Sequence, residues 1–413
     1  MGELNTALFL LALLPVAAVV KPVSEKLFLP FPVVLIITGF ICSEIATRLL
    51  DIDTGIHWQN FHIIIFYLIL PILIFQSALE MDLKLLRQNL VIILMLAIPL
   101  MLVSTVFIAA GLYFGIAYPQ GFPWIAALLA GALLSATDPA AVIAVFEKMN
   151  LSARPGILLE GESLFNDATA IVLFAALLEL TMPESPMSVS GNVLMTCIHF
   201  LSVFLGGIAV GVMAGLLMRF LNRLLNDINL KLMVTVASVY FIFILAEKVL
   251  GLSGVMAVLI AGLVPGVKGQ NADKQAEHES MDCTFEFLAT VAGALIFLLA
   301  GITITWTMFA DQWLAMLIGI GSVLGARFTS LFFAFPVINR LPGVMPVRLT
   351  EQFLLAWGGV RGTVTLALAL SLPLSLDYWY TIQSIAYGVV LFTLFVQTTT
   401  MPPVIKVLKL DKA

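Results

Sequence analysis

Apolar residues run along this chain in long blocks, each bounded by charge, proline or glycine. Blocks of about 20 such residues have the length that an α-helix needs to cross the hydrocarbon of a bilayer. Reading each block as one crossing predicts segments at roughly 4–20, 29–48, 60–79, 89–116, 123–146, 157–180, 192–219, 230–250, 252–268, 283–305, 312–336, 350–374 and 380–402, thirteen in all. The segments 123–146 and 350–374 hold polar, glycine and proline breaks, and their charged flanks predict that they cross nonetheless.

Charge sorts across the connections. Of the 20 lysines and arginines, Arg327 and Arg361 lie inside segments and Arg48 and Lys248 fall in even-numbered connections. The rest, from Lys21 and Lys26 to Lys406, Lys409 and Lys412, fall in odd-numbered connections or at the C-terminus. Short cytoplasmic loops carry the excess of Lys and Arg, so the N-terminus is expected outside and the C-terminus in the cytoplasm. Adding or losing one span would scramble this alternation. The first segment is read as a spanning helix and not a signal peptide, because Gly2, Glu3, Leu4 and Asn5 ahead of it carry no positive charge.

Composition agrees. With 61% hydrophobic and 11% charged residues in 413, and a mean hydropathy of +1.09, the chain is not a soluble protein. The spans leave no stretch for a separate soluble domain, so residues 1–413 are read as one all-α polytopic membrane domain. A net charge of −5 without a basic tract argues against a nucleic-acid partner. Cys42, Cys197 and Cys283 are far apart, odd in number and flanked by apolar residues, as suits reduced packing residues.

A charge at the centre of a spanning helix is costly, so ionisable residues there are functional candidates. They are Asp138, Glu162, Asp167, Arg327 and Arg361, whereas Glu44, Glu160 and Glu179 sit nearer segment ends and are expected to reach the interface. In the segment 157–180 the run Gly161-Glu162-Ser163-Leu164-Phe165-Asn166-Asp167 sets Ser163 and Asp167, and likewise Glu162 and Asn166, four apart, giving one polar stripe on the helix. Small polar residues alone would read as helix-packing glue, but two carboxylates beside them point to a site.

Both broken segments carry chemistry as well. Pro139 has no N–H, so the Ser135 carbonyl loses its helical partner and the helix is expected to open at Thr137 and Asp138. Gly358, Gly359 and Gly362 around Arg361 weaken the other helix at similar depth. The two are the fifth and twelfth segments, and an odd offset means that they cross in opposite directions. That is the pattern of inverted six-helix repeats, about 1–181 and 229–403, joined by a linking helix at about 192–222, with two discontinuous helices at the midplane.

Carboxylate, hydroxyl and carbonyl oxygens suit a small monovalent cation. In a dry site one carboxylate holds either a proton or a cation, and that competition couples two opposite fluxes. Asp167 is the acid assigned this role. Glu162 has a partner in Arg327 or Arg361, a pair that would stay ionised and serve structure.

At Thr137-Asp138-Pro139, at Gly161 to Asp167 and at Gly358-Gly359-Val360-Arg361-Gly362 the sequence resembles the cation:proton antiporters that include bacterial NhaP-type and animal NHE-type sodium/proton exchangers. The resemblance implies thirteen helices, a homodimer, crossed unwound helices in a mobile core, and elevator-like alternating access. It implies cation or proton binding at Asp167, with Ser163, Thr137 and Glu162 around a Na+ ion, and Arg327 paired with Glu162; Asn166 and Asp138 belong to the same set. Asn166 stands where electrogenic relatives carry a second Asp, which favours electroneutral exchange of one Na+ (or Li+) for one H+. No cofactor is expected beyond these transported ions, and no large cytoplasmic regulatory tail. A bacterial inner membrane suits such a chain.

Three other readings compete. A potassium/proton antiporter would use the same ligand types. A cation channel would line a pore with Asp167, against the alternating access that broken antiparallel helices favour. An intramembrane hydrolase using Ser163 lacks a base, since His57, His62 and His278 lie near ends or loops and His199 reads as a packed residue on an apolar helix.

Overall fold

The computed structural model is helical, with no strand among the residues it describes, which are 2–27, 29–48, 63–116, 121–149, 151–181, 193–264, 272–342, 344–408 and 410. His57 and His62 lie outside them. In chain order the helices are α1 (Gly2–Leu27), α2 (Phe31–Arg48), α3 (Ile64–Glu80), α4 (Leu83–Gly115), α5 (Trp124–Ser135), α6 (Ala140–Lys148), α7 (Ala153–Leu180) and α8 (Val193–Leu224). They continue as α9 (Ile228–Val249), α10 (Gly254–Leu263), α11 (Ala272–Thr303), α12 (Trp306–Ile338), α13 (Leu349–Trp357), α14 (Thr363–Leu370) and α15 (Trp379–Val407).

Among the described residues eight runs are long and apolar enough to cross a membrane, counting α5 and α6 as one, and Ala12–Ser24, Phe31–Ile45, α3 and α10 are shorter apolar helices. α13 and α14 have 9 and 8 residues, because the glycine break divides what would otherwise be one span. α11 starts at Ala272, ahead of the expected 283, since the helix continues through a polar first stretch that hydropathy does not register. π-helical turns open α3, close α9 and interrupt α4 and α15, a feature the apolar pattern does not announce.

The chain forms two compact units. The first comprises residues 1–62, 89–166 and 294–413. Here the Met101–Gly115 stretch of α4 packs on α5 and α12, α12 packs on α15, and α14 lies against α5 and α15. α2 and α11 meet at Gly39 and Gly301, where a methyl group on either residue would collide with the backbone of the other helix.

The second unit comprises residues 63–88 and 167–293. Its centre is α10, buried along most of its length and packed against α8, α3 and α9. The start of α10 is well capped. Ser253 accepts the Met256 N–H at 3.1 Å, Glu247 accepts the Gly254 N–H at 2.9 Å, and Gly251 with φ +62° lets the chain reverse after α9. α8 and α9 bury only about a fifth of their apolar stretch, as spanning helices do at a lipid border.

Candidate functional site

The first unit contains the crossing of the two broken helices. α5 ends at Ser135 and α6 begins at Ala140, with residues 136–139 extended or irregular between them. α13 ends at Trp357 and α14 begins at Thr363. The two interruptions touch, since the Asp138 N–H donates to the Val360 carbonyl at 2.7 Å. A break in a buried helix strands backbone groups that must find other partners. Here several do.

The carbonyl of Leu134 is taken by Arg361 Nε, that of Ser135 by Asn166 Nδ2 at 2.8 Å, and that of Thr137 by the Ser163 hydroxyl. Asn166 Nδ2 also lies 3.4 Å from Thr137 Oγ1. Across the second break, Arg361 Nη1 donates to the Gly359 carbonyl and Arg327 Nη2 to that of Leu355 at 2.9 Å. The Arg361 N–H donates to Thr393 Oγ1 at 3.1 Å.

Asp138 has a particular place. One carboxylate oxygen accepts the Thr363 N–H at 3.1 Å and the Thr363 hydroxyl at 2.8 Å, so it caps α14 across the crossing; the other accepts the Ala140 N–H at 3.3 Å. A Cβ at position 362 would run into this carboxylate, which explains the third glycine of the motif. Asp138 therefore faces two helix N-termini and Arg361 faces helix C-terminal carbonyls, so each charge opposes the local dipole. The sequence grouped Asp138 with cation ligands; the structure gives its carboxylate this capping contact.

Arg327 of α12 places its guanidinium as a fork on Glu162 of α7, with Nη1 on Oε1 and Nη2 on Oε2, the latter at 2.8 Å. Glu162 is 1% exposed and Arg327 6%. Both carboxylate oxygens are engaged by Arg327, while Arg361 donates to the Leu134 and Gly359 carbonyls. A bidentate pair of this kind is the form in which charge is tolerable without water. Ser163, Asn166 and Thr137 are buried with it, and Asp167, next along α7, is half-buried and falls in the second unit. Thr363 and Thr393 escaped the sequence reading. A threonine following the last glycine of a break was the available signal for the first, and nothing local marked the second.

The second unit has a cavity of about 200 Å³, whose lining includes Glu179, His199, Glu247, Phe66, Phe200 and Leu252. His199 is exposed and lines this cavity together with residues of α3 and α7, which corrects its reading as a packed residue. Glu179 lines the same space, and Glu247, adjacent to Lys248 at a segment end, was overlooked. Among the described residues no three His, Cys, Asp or Glu side chains stand together as a metal site.

Comparison with known proteins agrees with the fold. A family model described as "Sodium/hydrogen exchanger, transmembrane" matches residues 11–407. The low-affinity Na+/H+ antiporter NhaS1 of Synechocystis is 32% identical, over 98% of this chain and 75% of that protein. The Na+/H+ antiporter NhaH of Halobacillus aidingensis is 30% identical over 97% of both. Among solved structures, the sodium proton antiporter MjNhaP1 of Methanocaldococcus jannaschii at pH 8 superposes with a TM-score of 0.83 over 100% of both chains at 22% identity.

Proposed function

Because this chain belongs to the sodium/hydrogen exchanger family, we propose that it exchanges one Na+, or Li+, for one H+ across a bilayer by alternating access. The observation that carries the mechanism is the Arg327 fork on Glu162. The guanidinium occupies both carboxylate oxygens of Glu162, so the exchanging role falls to Asp167, one residue past Asn166 on the same helix. Proton and cation compete there for one negative charge. Ser163, a turn earlier on α7, and Thr137 at the proline break supply oxygen atoms to the cation.

One exchanging carboxylate, with Asn166 beside it in place of a second acid, makes the cycle electroneutral. The protein works as a homodimer in a bacterial inner membrane, with its N-terminus outside and its C-terminus in the cytoplasm; the sorting of Lys and Arg supports that orientation.

The test uses proteoliposomes with an internal pH dye, given Na+, Li+ and K+ separately across a pH series. Na+ and Li+ are expected to dequench the dye without a current, and Asp167→Asn to abolish the signal while the protein still elutes as a folded species. Exchange retained by Asp167→Asn overturns the assignment of the acid. A larger response to K+ overturns the choice of ion, and a current in sealed vesicles overturns electroneutrality.

A further inference from the structure

The last helix touches the glycine break at two places. Thr393, 1% exposed, opens the π-helical turn Thr393–Gln397 of α15. Its Oγ1 accepts the Arg361 N–H at 3.1 Å, and its own proton faces the carbonyls of Val390 at 3.2 Å and Arg361 at 3.4 Å. Further along α15, Thr400 Oγ1 accepts the Trp357 indole N–H at 3.1 Å and donates to the Val396 carbonyl at 2.6 Å. Two threonines of one helix thus hold the last residue of α13 and the middle of the unwound stretch.

Arg361 matters most in that stretch. Its N–H has lost a helical acceptor, its side chain takes the Leu134 and Gly359 carbonyls, and the peptide it shares with Val360 offers the carbonyl that receives Asp138. One hydroxyl therefore sets the plane of a peptide on which three contacts of the crossing depend. π turns recur at functional sites because they re-aim a side chain that a regular helix would point elsewhere.

We propose that Thr393 is a positioning residue for ion exchange, acting through the Val360–Arg361 peptide, with Thr400 as a purely mechanical tie to the other side of the break. The transport arm of this inference rests on the exchange function proposed above; the geometric arm does not.

Thr393→Val keeps the shape and removes the acceptor, Thr393→Ser keeps the acceptor, and Thr400→Val controls for loss of any tie between α15 and this segment. In proteoliposomes Thr393→Val is expected to raise the KM for Na+ by about tenfold and to displace the pH profile, the scale of one lost hydrogen bond in a buried site. Thr393→Ser should stay within about twofold of the parent, and Thr400→Val should lower Tm with KM and pH profile unmoved. A Thr393→Val protein with the parent's KM and pH profile overturns the proposal, as does a Thr393→Ser protein no better than the valine. If the valine variant does not fold, Thr393→Cys replaces it, sulfur being a weak acceptor; equal KM values for Cys and Ser then overturn the proposal. Hydrogen exchange of the peptide covering 358–364 reads the same bond without transport. It should quicken in Thr393→Val, or in Thr393→Cys, and not in Thr400→Val. That result with silent vesicles would defeat the exchange function and leave the positioning contact standing, whereas active vesicles with unchanged exchange would do the reverse.

Discussion

At the first break, Pro139 withholds an N–H, and the carbonyls left behind are met by Ser163 and Asn166 of α7 together with Arg361. At the second, three glycines let the chain unwind, and the stranded groups are met by Asp138, Thr393, Arg327 and the side chain of Arg361 itself. The difference lies in who does the repair. The proline break is closed largely by the polar stripe of α7, so the residues proposed to surround the ion are also the ones that hold the helix open. The glycine break is closed by residues of α12, α15 and the opposite crossing, none of them on α7. A change on α7 should therefore disturb ion affinity and architecture together. A change around the glycine break should reach the ion only through position.

Arg327 bridges the two repairs, since one side chain holds Glu162 on α7 and the Leu355 carbonyl on α13. Its loss should cause the largest effect. Arg327→Ala leaves a carboxylate that is 1% exposed without its counter-charge, and removing one partner of a buried pair costs about 3–5 kcal/mol. Thermal unfolding in detergent should show a Tm fall larger than for any other single change at the crossing, and Glu162→Gln in the same background should recover part of it. A Tm equal to the parent's would mean that the two breaks are not joined through this side chain.

Gly362→Ala attacks the glycine break alone. The new methyl group meets the Asp138 carboxylate, which must withdraw from the Thr363 N–H and hydroxyl. Asp138 is half-buried, so water can replace part of the two lost hydrogen bonds, and the cost is expected to be about 2–3 kcal/mol, below Arg327→Ala, which leaves a carboxylate in a dry site. If the breaks are repaired separately, Na+ affinity in whatever folded fraction remains should change less than stability. An affinity loss as great as that of a change at Ser163 would mean that the two breaks are not repaired separately.

Much of this was legible beforehand, for a local reason. Long apolar runs set the helices, and proline and glycine announce a broken helix within a few residues of the break. The pairing of breaks was open to inference from their opposite directions. Partners were not. Asp138 and Thr363 stand 225 residues apart, and a carboxylate in the middle of a span looks the same whether it meets an ion or a helix end. The choice between Arg327 and Arg361 had the same character, as both were equally buried cations on paper. Glu247 was lost because it adjoins Lys248 at the edge of an apolar run, where a charge reads as the end of a helix; only the fold reveals that it caps α10. His199 shows the converse: an apolar helix does not imply a covered one.

The smallest effect is expected at the residue that most plainly announces its break. Pro139 is the N-cap of α6, with φ −83°, a backbone angle that alanine also adopts. Restoring an N–H at position 139 offers the Ser135 carbonyl its old helical donor, but that carbonyl already holds Asn166, and the Leu134 carbonyl holds Arg361. Re-forming the helix would have to undo both bonds, and also the one from the Asp138 N–H to Val360. Pro139→Ala should therefore leave α5 and α6 separate, with a stability change within about 1 kcal/mol and transport kept, because proline here lowers the cost of a break that other residues maintain. Hydrogen exchange across 134–142 would decide it. Protection spreading through the stretch, together with loss of exchange activity, would show that proline itself holds the helix open and that the α7 side chains merely follow.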